Sequence, residues 1–404
     1  MTPPPAPAGL SAEGWALWFR DVFVPGWLAR VAHPAGGVCD HLGADGRPDT
    51  GAPQTVLALS RSLFTLSHLA QLSGDAALTA GAGRLAAALP RYRKAPGLYR
   101  QAVDGDAAAA PDPALEVARS YDQSFVLLAL ATWNRLQPGQ EQEIEAIWAA
   151  LTRPLCDPAT GLLRNDDSAA PAPDPAQNPH MHLYEACLQA AEMSGSALWL
   201  DRAAGIRARA LRHFLDPETG SIAEFLAPDL SPLPGPQGAR REPGHQYEWA
   251  WLLRREVELG GDPAVGGVAA RLMDFAGRHG HAQSGPMRGA VFDAVAPDGG
   301  VIEDSFLLWP QTEAIKALAQ SHIAGATGAG DRARSLLVLM FERWFAGRPA
   351  HVNRLDARGG CLWPQALTRL FYHLALALSE GGRAGLWPCF PRRHDDHPSR
   401  YHPT

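Results

Sequence analysis

Six stretches of this chain read as apolar helices headed by polar side chains, and they recur at a nearly constant step. Arg61 in QTVLALSRSLFTLSHLA, Asp122 in YDQSFVLLALA, His182 in HMHLYEACLQAAE, His245 in HQYEWAWLL, Trp309 in WPQTEAIKALA and His373 in YHLALALSE stand 61, 60, 63, 64 and 64 residues apart. A fixed period marks repeated supersecondary units, each unable to bury its apolar face alone. Six units of about 63 residues fill nearly the whole chain. Side by side in a closed ring, such helices gather their polar heads into one pocket.

Between the six lie stretches with apolar residues at three-and-four spacing, the pattern of one-sided burial: roughly 11–33, 75–92, 140–153, 197–215, 263–280 and 329–346. Ser11 and Asp75 stand where helix N-caps belong. The six headed stretches are apolar on most sides, as in FVLLALATW and LALAL. An outer ring around an inner ring accounts for both patterns. The expected layout is an N-terminal tail (1–10), one toroidal domain (11–385) and a C-terminal tail (386–404). The connections GGVCDHLGADGRP, GLYRQAVDGD, GLLRNDD, GSIAEFL, GGVIEDS and GGCLWPQ read as short strands or hairpins walling the pocket mouth. Two proline-rich segments, 168–179 and 227–244, directly precede His182 and His245, and loops of that length beside a site are commonly functional.

The net charge of −6, with no basic runs, argues against nucleic acid and anionic membranes as partners. No apolar run is long enough to span a bilayer. The start MTPPPAPAGL lacks the basic and apolar regions of a signal peptide. Five widely spaced cysteines without a CxxC pair suit reduced thiols in a cytoplasmic protein. Lys94 and Lys316 are the only lysines, which leaves few Schiff-base candidates.

His182 and Glu185 are three apart, as are His245 and Glu248, so each pair shares a helix face. The pairing occurs on two successive repeats. His373 heads the sixth helix, and Trp309 and Glu313 the fifth. Arg61 sits in an apolar helix, where a guanidinium needs an acidic partner or a ligand. Histidines are suited to move protons near neutral pH, and an arginine can stabilise a developing oxyanion. Trp309, Trp251 and Tyr121 offer faces for a sugar ring, although for Trp251 core packing is the preferred reading. A metal set drawn from His180, His182, Glu185, His245 and His373 is disfavoured, since residues two apart on a helix diverge and no HExxH motif occurs. Glu185, Glu248 and Glu313 keep a glycoside hydrolase open, and a non-catalytic sugar-binding protein is a third reading. No P-loop or serine nucleophile elbow is present.

The stretches LSRSLFTLSHLAQLSGD, YDQSFVLLALA, NPHMHLYEACLQAAE, PGHQYEWAWLL, WPQTEAIKAL and FYHLALAL, in this order and spacing from about 54 to 380, resemble the N-acylglucosamine 2-epimerase superfamily. The resemblance implies an all-α (α/α)6 barrel. It also implies a sugar isomerase or epimerase needing neither metal nor cofactor, acting on a small sugar as a monomer or homodimer. It assigns His245 and His373 as the acid/base pair and Arg61 as the group holding the substrate oxygens and the enediolate. His182 matches a histidine of mannose isomerases and cellobiose epimerases that N-acylglucosamine epimerases lack. Glu185, Glu248, Trp309 and Glu313 are implied as hydroxyl-binding or orienting residues. Asp122 receives no role, and His180 is expected to face away from the pocket. Mannose–fructose isomerisation through a cis-enediol is the expected reaction, with 2-epimerisation as the alternative. A phosphorylated substrate is disfavoured because no Arg or Lys cluster accompanies the inner-helix motifs, although Arg240, Arg241 and Arg288 leave it open.

Overall fold

The structure, a computed structural model, describes residues 5–104, 112–169, 174–388 and 390. The chain opens with α1 (Ala12–Trp18) and α2 (Val24–Val31), joined by a π-helical turn at Phe19–Phe23. It then runs through inner–outer hairpins: α3 (Val56–Ser73) with α4 (Ala76–Ala88), α5 (Ser120–Leu136) with α6 (Glu141–Thr152), and α7 (Gln177–Ser194) with α8 (Ala197–Phe214). A short α9 (Gly235–Ala239) precedes α10 (Pro243–Glu258) and α11 (Val265–His279), then α12 (Leu308–Ile323), α13 (Ala329–Trp344) and α14 (Phe371–Arg383). Adjacent inner helices pack in the order α3, α5, α7, α10, α12, α14 and back to α3. This is the (α/α)6 barrel.

The ends of the chain complete the last hairpin. Phe19 and Phe23 pack against Phe371 at the start of α14, and α1 lies beside α13. His41 and Leu42 pair antiparallel with Leu367 and Ala366, and the backbone of Ala6 bridges to Ala346. Part of each stretch expected as a tail, 1–10 and 386–404, is therefore tied to the barrel. Leu386, Trp387 and Phe390 are buried, and the Trp387 indole donates to the Leu378 carbonyl. Residues 1–4 and 391–404, and 170–173 of the proline-rich segment before His182, lie outside the described residues.

Local chemistry sets the helix ends. Ser11, Thr55 and Asp75 cap α1, α3 and α4, their side chains accepting from the N–H of Gly14, Ala58 and Ala77, each worth about 1 kcal/mol. α3 and α7 both end at a glycine in the left-handed region, Gly74 and Gly195. The outer helices bury one stripe, as in Ile144, Ile147 and Leu151 of α6, whereas α3 is buried almost throughout from Val56 to Ser67. One apolar cluster runs from Ala12 to Phe390. No helix among the described residues is long and apolar enough to cross a membrane. Cys39 and Cys187 are buried, Cys156 half-buried and Cys361 exposed, with no disulfide among the described residues; Cys389 lies outside them.

A repeated device fixes four of the inner helices, α5, α7, α10 and α12, to the loops before them. Gln123 bonds both backbone groups of Tyr99, Gln246 those of Ile222, and Gln311 those of Val291. On α7 the same place is taken by His180, whose Nε2 accepts from the N–H of Leu163 and whose Nδ1 donates to the Ala176 carbonyl. These anchors define the true register of the repeats. His245 lies one residue before its anchor, while His182 lies two after. The two His-x-x-Glu pairs are therefore not equivalent positions: His182 is the counterpart of Glu248 and Glu313.

Candidate active site

The N-terminal ends of the inner helices open on a pocket of about 520 Å3, within the usual range for small-molecule sites. Arg61, Tyr121, His182, His245, Glu248, Trp309 and His373 all line it. Glu185 and Glu313 do not. They lie behind the wall, where each holds an imidazole. A larger groove of about 930 Å3 between α11 and α13 contains none of these residues.

His373 and Arg61 are neighbours across the seam between α14 and α3. The Nδ1 of His373 is 2.7 Å from Glu313 Oε1, so it carries the proton donated to that carboxylate, and Nε2 accepts from Arg61 Nη1 at 3.2 Å. Burial, then the charges of Arg61 and Lys316, hold the His373 pKa well below the usual 6.5. Its ring is therefore neutral, with a lone pair on Nε2. The Arg61 guanidinium is almost wholly buried and lies against the rings of Phe125 and Tyr372. It donates to the Tyr121 hydroxyl at 2.6 Å and to the Arg369 carbonyl at 3.4 Å, yet no carboxylate among the described residues pairs with it. Of the two partners a buried arginine can take, the ligand is the one left.

His245 faces them from α10. Its Nδ1 is 2.8 Å from Glu224 Oε2 and 3.3 Å from Glu242 Oε2. The expected partner Glu248 makes no such bond. One helical turn onward, it points into the pocket, and neither of its oxygens has a hydrogen-bond partner among the described residues. Burial alone would lower the His245 pKa, but Glu224 and Glu242 outweigh it and lift the value to about 9. The ring is charged at neutral pH. Glu248, buried and next to Glu313, has its carboxyl pKa pushed well above the usual range.

Trp309 lies between the two imidazoles, its ring centroid 4.7 Å from His245 and 6.0 Å from His373. Gly244 makes room for it, since a Cβ there would come within 2.6 Å of the indole. His182 donates from Nδ1 to Glu185 at 2.8 Å, and the Tyr372 hydroxyl donates to the other Glu185 oxygen. Burial lowers the His182 pKa to about 4, so this ring is neutral too. His180 faces away from the cavity, as expected. Trp251 is core, its ring 4.2 Å from the buried Lys316 ammonium. Asp122 is buried and holds Arg119 through two hydrogen bonds of 2.8 and 2.9 Å.

Glu224, Lys316 and Tyr372 belong to the site although no periodic signal marks them. Glu224 comes from the hairpin GSIAEFL, where only its place in a pocket-walling connection pointed to it. Lys316 was conspicuous as one of two lysines; its ammonium lies 2.5 Å from Glu313. The arginines named as anion binders are spent elsewhere. Arg240 pairs with Glu242 and Glu303, Arg241 with Ser221 and Asp216, and Arg288 lines the outer groove. Arg119 and Arg369 line the pocket instead.

Three groups could offer ligands to a metal ion: His182, Glu185 and Glu248; Glu224, Glu242 and His245; and Glu248, Glu313 and His373, with ligand atoms within 4.8 Å of one another in each. Of the residues rejected from helix spacing as a single ligand set, His182, Glu185, His245 and His373 are distributed over these groups and His180 is in none. In the third, Lys316 already sets a positive charge beside Glu313.

The sequence profile of the N-acylglucosamine 2-epimerase (GlcNAc 2-epimerase) family matches residues 36–376. A mannose-6-phosphate isomerase of Rhizobium meliloti (strain 1021) is 29% identical over 92% of this chain and 96% of its own. A D-mannose isomerase of Thermobifida fusca is 28% identical over 56% of this chain and 58% of its own. The fold is shared with a cellobiose 2-epimerase from Bacillus thermoamylovorans B4167, at TM-score 0.81 and 14% identity, over 92% of this chain and 99% of that one.

Proposed function

The chain belongs to the N-acylglucosamine 2-epimerase family and is a sugar isomerase or epimerase, and we propose that it interconverts mannose, or a closely related aldose, with the corresponding ketose. His245, as imidazolium, gives a proton to the ring oxygen and takes back the O1 proton as the sugar opens. His373 Nε2 takes the proton from C2 of the open chain as the C1=C2 bond forms and His245 protonates O1, leaving a cis-enediol. Arg61 holds O1 and O2 and offsets the charge that builds between them. His373 returns a proton to C1 while His245 takes the O2 proton, which gives the ketose and restores both rings. Glu224 and Glu313 each fix one imidazole tautomer. Glu248 and His182 bind hydroxyls, and Trp309 supports the chain between the two rings.

The observation that carries this reading is the guanidinium of Arg61, buried, without a carboxylate, and 3.2 Å from the lone pair of a neutral imidazole. Two titratable groups whose surroundings push them in opposite directions supply an acid and a base at one pH. The isomerase names of two relatives, one of mannose 6-phosphate and one of D-mannose, favour isomerisation over epimerisation. A glycoside hydrolase is disfavoured because Glu185 and Glu313 lie behind the wall, spent on histidines.

The test is incubation with mannose in D2O, followed by NMR. Ketose carrying solvent deuterium at C1 is expected. Deuterated glucose without fructose would make the enzyme an epimerase. Absence of C2 exchange across a panel of aldoses would end the proposal.

A further inference from the structure

The pocket is electrically polarised across the barrel. Arg61 on α3, Arg119 just before α5 and Arg369 just before α14 come from three adjacent members of the inner ring and all line the cavity. Across from them, α10 and its preceding loop present Glu224, Glu242 and Glu248. On the arginine side the charges of Asp122 and Asp166 both act on Arg119. Asp122 occupies Nε and Nη2 of Arg119 and leaves Nη1 without a described hydrogen-bond partner. Arg61 has no carboxylate. The Arg369 side chain makes no hydrogen bond or ion pair with any described residue, although its charge is felt by Tyr121 and Asp122, as is that of Arg61. Both carboxylates are set against Arg119, and Arg61 and Arg369 line the cavity without a paired carboxylate among the described residues.

Arg61 is accounted for by the reacting oxygens. Arg369 is not, and a neutral sugar would give an unpaired guanidinium nothing to offset its repulsion from Arg61 and Arg119. We propose that Arg369, with the free edge of Arg119, forms an anion subsite, and that the substrate is an aldose esterified with phosphate at the end remote from its carbonyl. This deepens the isomerase reading and rests on it. Depth sets the orientation. The imidazoles are 7% and 4% exposed, whereas the Arg119 side chain is 36% exposed at the mouth. A sugar entering carbonyl first places its far end at the arginines. Guanidinium forks match phosphate oxygens in geometry and charge.

The test uses the full chain with mannose, mannose 6-phosphate and mannuronate as substrates, and inorganic phosphate as a separate calorimetric probe. The phosphate ester should have a kcat/KM at least about 10-fold above the free sugar. Arg369→Gln should lower kcat/KM for the ester by about 10²-fold and for mannose by far less, with Arg369→Lys intermediate; matching thermal melts would exclude a folding defect. Equal kcat/KM for ester and free sugar, or an equal loss on both sugars in Arg369→Gln, would overturn the subsite, and a preference for mannuronate over the ester would overturn phosphate as its ligand. If no sugar is turned over, the isomerase reading falls. The phosphate titration then decides the subsite alone: binding that Arg369→Gln weakens supports it, and no binding overturns it.

Discussion

The walls built by α10 and α14 look alike in bonding and differ in charge. On each, an imidazole donates from Nδ1 to a buried carboxylate, Glu224 for His245 at 2.8 Å and Glu313 for His373 at 2.7 Å. Yet one ring is lifted to about 9 and the other pressed well below 6.5. The hydrogen bond cannot be the cause, because both have it. The difference lies in the neighbours. His245 has a second carboxylate, Glu242, at 3.3 Å. His373 has Arg61 on its other nitrogen, and its carboxylate is shared with Lys316. Identical side chains become an acid and a base through the charges placed one bond further out.

The most severe way to break this comparison is to remove each ring. His245→Ala and His373→Ala should each lower the isomerisation rate by at least about 10²-fold, the scale of losing a general acid or base, with melting curves confirming folded protein. A variant that kept most of its rate would strike its imidazole from the chemistry. A subtler change sharpens the contrast. Glu224 is the leading charge that raises His245, so Glu224→Gln should pull the alkaline limb of kcat down from about 9 towards 6.5 while leaving the acid limb in place. A profile unmoved by this change would mean that the protonation of His245 does not limit turnover.

The same two rings tilt stability in opposite directions with pH. The folded pKa of His245 is raised, so its contribution is complete below 6.5 and disappears as pH climbs through about 9. That of His373 is depressed, so stability is retained above 6.5 and declines as pH falls below it. Urea titrations should show the alkaline decline flattened in His245→Ala and the acid decline flattened in His373→Ala. An alkaline decline as steep in His245→Ala as in the parent would assign it to other groups.

The toroid is legible in the sequence because its signals are local: apolar spacing, caps such as Ser11 and Asp75, and glycine-led turns at a constant step. The pocket's inner-helix residues follow, since each heads a recognisable stretch. What the step conceals is register. His182 and His245 share a spacing to Glu185 and Glu248, yet the loop anchors His180 and Gln246 place them three residues out of phase. Only a contact between helix and loop reveals this. Glu224, Arg119 and Arg369 are harder still. They sit in a hairpin, in the residue before α5 and in a 3-10 turn, where no periodicity distinguishes a pocket residue from a solvated one.

The smallest expected effect is none at all, and it probes the same two walls. Glu224, Glu242 and His245 on the α10 wall could hold a divalent ion, and Glu248 of α10, Glu313 of α12 and His373 of α14 offer a second set between the walls. An ion on the α10 wall would need the Nδ1 of His245 deprotonated, against the pull of Glu224 and Glu242 that keeps the ring charged at neutral pH. An ion on the α14 side would compete with Lys316 for Glu313 and would lie beside the Arg61 cation. Dialysis against EDTA should therefore leave both the rate and the pH limbs where they were. Loss of activity on chelation, restored by a divalent ion, would make metal rather than carboxylate count the source of the difference between the two histidines.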